Sequence, residues 1–406
     1  MAISFGESEQ EAVPTIAFFL HMYQPPLPVQ TMPILKRIIE NCYIPVTQGL
    51  LEHPMIRITV NINASLSEML LEQAPEVIDN LMLLSESNQI EFLDSAAYHP
   101  LLPLLPKKHQ EAQIKLNREI NQKIFGKNNF KPVGFFPPEL AIDRELPYDL
   151  LKMGYEYFLA PSSAFAAIAN IGIPYLVKEK KRFYLLPRNR TLSNDLAFKN
   201  FPAPENFIQA VNHFSEGNVV ATPIVGMDFE TFGEHHHKYE EFLFKSLSNL
   251  RTLQLRELIQ LHDAEETDYE ISSKDFRESS WSTSEHEIQQ KIPYPLWDHP
   301  WNSLHQLTLE LMHIVYEGSN LLENSTNTDL IPVYKSQQSC QLWWESDGRF
   351  GPDIVKRAIN FQVKALESLA ELAESQNSQR ALALKSLVNL GHQLVDKIEY
   401  LVNLKS

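Results

Sequence analysis

Short apolar runs rich in β-branched and aromatic residues, each bounded by turn residues, recur along the first half of the chain and predict buried β-strands. Seven precede residue 230, at 16–20, 58–62, 90–93, 133–136, 155–159, 183–186 and 219–225. Most of the gaps carry helical spacing instead, at 34–39, 64–73, 110–125, a run to 153 that Asp143 would cap, and 205–214. Strands alternating with helices predict an α/β fold of parallel strands joined by right-handed crossovers. Seven such strands suit a closed or nearly closed barrel and an open doubly wound sheet equally well.

A long helix expected over 239–261 ends this pattern. Residues 262–300 are rich in Ser, Asp, Glu and Pro with little periodicity, and read as a long loop or junction. Three helical patterns follow, near 302–323, 353–375 and 378–403.

Charge narrows the partners. With 35 Lys and Arg against 51 Asp and Glu the net charge is −16, which repels nucleic acid and anionic membrane surfaces. The first residues carry acids where a signal peptide needs bases, and no segment reaches spanning length, so a cytoplasmic protein is expected. Two cysteines, Cys42 and Cys340, stand too far apart in the chain to resemble a disulfide framework or a zinc pair. With no GxGxxG or GxxxxGK[ST] sequence, neither kind of nucleotide phosphate cradle is supported.

In a parallel β/α barrel the chemistry sits at the C-terminal ends of the strands. Four strand ends carry polar clusters here: His21-Met22-Tyr23-Gln24-Pro25, Asp94-Ser95 with Tyr98-His99-Pro100, Pro137-Pro138-Glu139, and Asp228-Phe229-Glu230. Glu139 leaves its strand through two stiff prolines that fix the backbone direction. Asp228 closes another apolar run. Two facing carboxyl groups, one ionised and one protonated, are what glycosidic cleavage requires. All five tryptophans fall between Trp281 and Trp344, and clustered indoles suit a platform on which the apolar face of a sugar stacks. Packing between the strand region and the helical region would use the same residues.

Together these segments resemble glycoside hydrolase family 57, the family of α-amylases, 4-α-glucanotransferases and branching enzymes acting on α-glucans. Its first motif is similar to Tyr23-Gln24-Pro25 with His21 before it, and its second to Gln89-Ile90-Glu91 followed by Tyr98-His99-Pro100. The third resembles Gly134-Phe135-Phe136-Pro137-Pro138-Glu139, and the fourth Asp228-Phe229-Glu230-Thr231-Phe232-Gly233-Glu234-His235. Trp281 and the stretch Cys340-Gln341-Leu342-Trp343-Trp344 look like site-facing parts of the family's C-terminal portion. Two positions depart from the pattern: Tyr23 stands where the family has a histidine, and Phe136 where it has a tryptophan.

The resemblance implies a (β/α)7 barrel over 1–265, then a junction loop and an α-helical C-terminal domain over 266–406 that contributes to the active-site cleft. It implies a retaining enzyme acting on an α-glucan or oligosaccharide substrate, with no catalytic metal and no cofactor. By position, Glu139 would be the nucleophile and Asp228 the acid/base. His21, Gln24, Glu91, His99, Phe136, Glu230, Trp281, Trp343 and Trp344 would bind substrate.

Two other functions fit the same residues. A metal-dependent deacetylase could use Asp228 with His21, His99 or the run His235-His236-His237 as zinc ligands, although at most two of three successive side chains can share one ion. A glucan-binding protein without turnover could keep the barrel, with Tyr23 and Phe136 as its altered positions.

Overall fold

The computed structural model describes residues 13–165, 173–178, 181–217, 222–262, 269–272, 274–322, 326–376 and 379–405. Ten strands lie among them: β1 (Thr15–Met22), β2 (Ile58–Ile62), β3 (Ile90–Leu93), β4 (Gly134–Phe135), β5 (Tyr157–Pro161), β6 (Pro174–Lys178), β7 (Lys181–Arg188), β8 (Ile224–Asp228), β9 (Arg251–Leu253) and β10 (Tyr269–Glu270). One sheet runs β3-β2-β1-β8, with β9 paired to the start of β1, and the other runs β10-β6-β7-β5-β4. Every pairing is parallel except the hairpin of β6 and β7. β1 and β2 are buried almost throughout, as strands covered on both faces must be, and this is why they read as continuous apolar runs.

Two joints link the sheets. Asp94 bridges in parallel to Phe135, its N–H donating to the Gly134 carbonyl at 3.0 Å while Phe136 N–H donates to the Asp94 carbonyl at 2.8 Å. On the other side Asn189 N–H donates to the Ile224 carbonyl at 2.7 Å, and the Arg188 Nε–H to the Gly226 carbonyl at 2.6 Å. Register then sets the level of the functional ends, for His21 lies opposite both Asn61 and Asp228.

Each of the seven expected strands has an observed counterpart, 58–62 and 90–93 with the expected bounds and the other five with shifted ones. The last begins at Ile224 and runs on through Gly226 and Met227 to Asp228; residues 219–221 of the expected run lie outside the described residues. β6, β9 and β10 are additions. The helix expected over 239–261 is instead Glu240–Leu247, then β9, then Leu255–His262. β1 meets β2 only from Phe19 onward, which leaves its first backbone groups in need of partners. Residues 251–253 meet that need, pairing with Thr15, Ile16 and Ala17 while Arg251 N–H donates to the Pro14 carbonyl at 2.9 Å.

The C-terminal part is helical, led by Ser303–Asn320, Pro352–Ser375 and Ala381–Lys405. These helices share a core that includes Leu311, Val363, Leu366, Leu384 and Leu394, and that core continues into Ala97, Tyr98 and Leu116 of the strand region. The seam also carries polar ties, with Gln113 Nε2 donating to the Tyr334 carbonyl at 2.8 Å and Arg357 Nε–H to the Val29 carbonyl at 2.9 Å. Among the described residues no helix is long and apolar enough to cross a membrane. Cys42 and Cys340 are both free thiols.

Candidate active site

Asp228, the last residue of β8, stands among ionisable groups brought by other strand ends. Its charge acts on Glu139, Glu230, His21 and Arg188. Burial first, and then Asp228, push the Glu139 carboxyl up to about 8. Burial and the same neighbour likewise push Glu230 up to about 8. A buried carboxyl group beside another negative charge cannot ionise cheaply, which is why Glu139 and Glu230 both titrate above the ordinary carboxyl range.

Glu139 follows β4 with φ at 60°, a left-handed conformation held by Pro137 and Pro138 before it and by Trp281 N–H donating to its carbonyl at 3.1 Å. Two side chains donate to its carboxylate. Ser339 Oγ lies 3.0 Å from Oε1, and the Trp281 indole is the second donor. Both oppose the effect of burial by favouring the ionised form.

Above Glu139 four rings form a ladder. Tyr23 stacks on His99 at 4.0 Å between centroids, His99 on His21 at 4.8 Å, and His21 on Phe136 at 4.4 Å. Trp281 meets His21 and Phe136 edge-on at 6.2 and 6.1 Å. His21 Nδ1 lies 2.7 Å from Asn61 Oδ1, and the Asn61 amide donates to the Leu93 carbonyl at 3.3 Å, which fixes its orientation. His21 therefore donates through Nδ1 and keeps Nε2 as an acceptor. Burial lowers the pKa of both histidines, so both rings are neutral.

Several expected residues are placed differently. Gln24 spends its amide on protein groups, donating to Glu230 Oε1 at 2.9 Å and to Tyr43 Oη at 3.2 Å while accepting from Gln30 at 2.6 Å. Tyr43 also donates to Glu230, so Glu230 is a braced neighbour of Asp228. Phe136 is wholly buried beneath His21 and supports that ring. Glu91 lies two residues below the level of Asn61 and His21. Its carboxylate accepts from Tyr157 Oη at 2.5 Å, Thr59 Oγ1 at 3.2 Å and Arg256 N–H at 3.1 Å, contacts that bind the foot of β3 to the helix Leu255–His262. Trp343 packs beside Trp281 with Leu101, Tyr294 and Trp297, whereas Trp344 packs into the helical core. Of the five indoles, Trp281 is the one in contact with the carboxylate cluster.

Arg188, Tyr43, Asn61, Ser339 and Cys340 complete the site. Arg188 is buried, sits 5.8 Å over the Trp281 ring and is lowered to about 10 by burial against the pull of Asp228. It ends an apolar strand, so the strand-end rule that found Glu139 could have found it. Tyr43 and Asn61 carry no such signal. The Cys340 thiol, 3.7 Å from Tyr23 Oη, is pushed far up by burial and by the charge of Glu139.

The histidine run diverges. His236 Nε2 lies 2.9 Å from the Ala197 carbonyl, while His235 and His237 point outward. Among the described residues no three His, Cys, Asp or Glu side chains come together in a way that could hold a metal ion.

A carboxyl pair at the ends of two strands, with donors on one member and neutral imidazoles beside it, is an arrangement able to supply acid, base and nucleophile chemistry. The chain belongs to glycosyl hydrolase family 57, whose family model matches residues 18–276. It is similar to alpha-amylase 1 of Dictyoglomus thermophilum, 25% identical over 205 residues that make up 49% of this chain and 29% of that one. It is also 31% identical to the alpha-amylase of Pyrococcus horikoshii over 126 residues, 31% of this chain and 19% of that one. The chain thus matches less than a third of the length of either relative. Among solved structures, an exo-type maltose-forming amylase from Pyrococcus sp. ST04 superposes with a TM-score of 0.73 at 14% identity, covering 93% of this chain and 83% of that one.

Proposed function

We propose that this protein cleaves the glucosidic bonds of α-glucans with retention of configuration, Glu139 serving as nucleophile and Asp228 as acid/base, on a (β/α)7 barrel completed by the helical region. The observation that carries this reading is the pair itself: the charge of half-buried Asp228, at the end of one strand, acts on buried Glu139, which follows another, and the two side-chain donors fall on Glu139. Donors favour the ionised state a nucleophile needs. Asp228 protonates the glycosidic oxygen as Glu139 attacks the anomeric carbon. In the second half Asp228 takes the proton of water or of another sugar's hydroxyl as that oxygen displaces Glu139. The neutral histidines offer acceptors to sugar hydroxyls. The amylase names of the relatives support an α-glucan substrate. The barrel is supported by the two joints between the sheets, which put β1, β2, β3, β4, β5, β7 and β8 into one parallel succession.

Azide separates the two roles. Glu139→Gly leaves room for a small anion, and azide attacking an activated α-glucoside from the opposite face gives the β-glycosyl azide. Asp228→Gly still forms the covalent intermediate when the leaving group needs no proton, and azide then gives the α-anomer. The reverse pairing would exchange the roles. Undiminished hydrolysis of unactivated maltooligosaccharides by either variant would remove that residue from the mechanism.

A further inference from the structure

We propose that Ser339 is a positioning residue of the reaction: its one hydroxyl proton is committed to Glu139, and this holds His99 as the neutral Nδ1–H tautomer with Nε2 kept bare to accept a hydroxyl of the sugar. The proposal rests on Glu139 acting as the nucleophile.

Ser339 comes from the helical region, immediately before the short helix Cys340–Trp343, and is 1% exposed. Its backbone is fixed against the strand region, because Ser339 N–H donates to the His99 carbonyl at 3.0 Å and Gln338 bridges to Pro100. From there Oγ reaches two groups, Glu139 Oε1 at 3.0 Å and His99 Nδ1 at 3.0 Å. His99 Nδ1 is 3.7 Å from Glu139 Oε1, too far for a direct hydrogen bond, so the hydroxyl is the go-between.

Proton counting fixes the direction. A carboxylate only accepts and a serine has one proton to give. Once Oγ–H is donated to Glu139, the contact with His99 can be made only by Nδ1–H donating to Oγ. The second nitrogen is then unprotonated. His99 Nε2 is buried and has no partner among the described residues, while the ring is clamped between Tyr23 and His21 and cannot turn to find one. A buried nitrogen left open in this way is the kind of unsatisfied group that a ligand completes.

The same chain couples two protonation events. When Glu139 takes up a proton it no longer needs the serine's, Oγ–H is free to turn to Nδ1, and the His99 proton moves to Nε2. Ser339 therefore selects the pair of states that serve catalysis together, an ionised Glu139 and an accepting Nε2. The ionisable groups facing Glu139 are Asp228, His99, Tyr23 and Cys340, with Glu230, His21 and Arg188 reaching it through Asp228. All of them persist when the hydroxyl is removed.

The test is the pH dependence of kcat/KM on maltooligosaccharides for wild type, Ser339→Ala and Ser339→Thr, with the His99 tautomer of the wild-type protein read from 15N chemical shifts of its ring. Ser339→Ala should raise the acid limb by about one pH unit, a loss of about tenfold along that limb. Ser339→Thr, which keeps the hydroxyl, should return the limb to its place. The wild-type ring should show Nδ1 protonated and Nε2 bare. Superimposable profiles for wild type and Ser339→Ala, or an Nε2–H tautomer in wild type, would overturn the proposal, and the second readout needs no variant to fold. Glu139→Gln assayed alongside separates the two levels. If it is inactive while Ser339→Ala is unchanged, the serine's role fails alone; if it is active, the assignment of the nucleophile fails.

Discussion

Glu345 is wholly buried, and ionising it must destabilise the fold. Its Oε1 accepts from Thr308 Oγ1 at 2.6 Å, Oε2 has no partner among the described residues, and burial pushes the carboxyl up to about 8 against the pull of Lys405. In the unfolded chain the same group ionises near 4.5. Between those pH values the folded protein holds a proton that the unfolded chain has released, so this contribution to stability is present in full below about 4.5 and is lost as pH rises towards 8. The loss is about 1.4 kcal/mol per pH unit, on the order of 4 kcal/mol between pH 5 and pH 8. Glu345→Gln keeps the shape and cannot ionise, so it escapes that loss. Glu139 and Glu230 are shifted in the same direction, but both proteins carry them and their contribution cancels in the comparison. With an unfolding entropy of about 2.1 cal/mol/K per residue over 406 residues, the difference in Tm, variant minus wild type, should rise by about 5 °C from pH 5 to pH 8. At pH 5 the variant should be equal or slightly less stable, because its new amide N–H group meets the place where Oε2 had no partner. Calorimetry of both proteins across that range is the assay. A Tm difference that stays constant within about 1 °C would refute the reasoning, since an ionisation penalty cannot be independent of pH.

Trp281→Phe removes one donor to the Glu139 carboxylate and should lower kcat by about tenfold or more, while Trp344→Phe should leave kcat near wild type; equal effects would contradict the placement of the two rings. Gly226→Ala would put its Cβ 2.1 Å from the buried Phe19 ring, and overpacking of that kind should cost about 1–3 kcal/mol, visible as a Tm lowered by about 1–4 °C; an unchanged Tm would show that the ring has room to yield. Exhaustive EDTA treatment should leave glucan cleavage intact, because two carboxyl groups suffice for all three roles; loss of activity restored by zinc would favour the deacetylase mechanism instead.

Much of the site was legible because a strand announces itself locally. A run such as 133–136 predicts its own burial, and the polar residue that follows is delivered to the strand's end, so Glu139 and Asp228 follow from pattern alone. What a side chain does at that end is a different matter. Gln24 reads as a sugar ligand until Glu230, 206 residues away in the chain, takes its amide. Phe136 reads as a stacking platform until His21 lies over it, and Glu91 as a sugar ligand until Thr59, Tyr157 and Arg256 occupy its oxygens. Ser339 is unremarkable in sequence and acquires a role only because the chain returns 200 residues later to Glu139. The 251–253 segment followed the same logic, since a helical pattern gave way to unpaired backbone groups at the start of β1. Periodicity encodes which residues are buried, a property of each segment and its solvent, and so the sequence by itself determined the strands and the polar residues delivered to their ends. A hydrogen bond needs a partner within about 3 Å, and which distant residues come that close was decided by the packing of the whole chain.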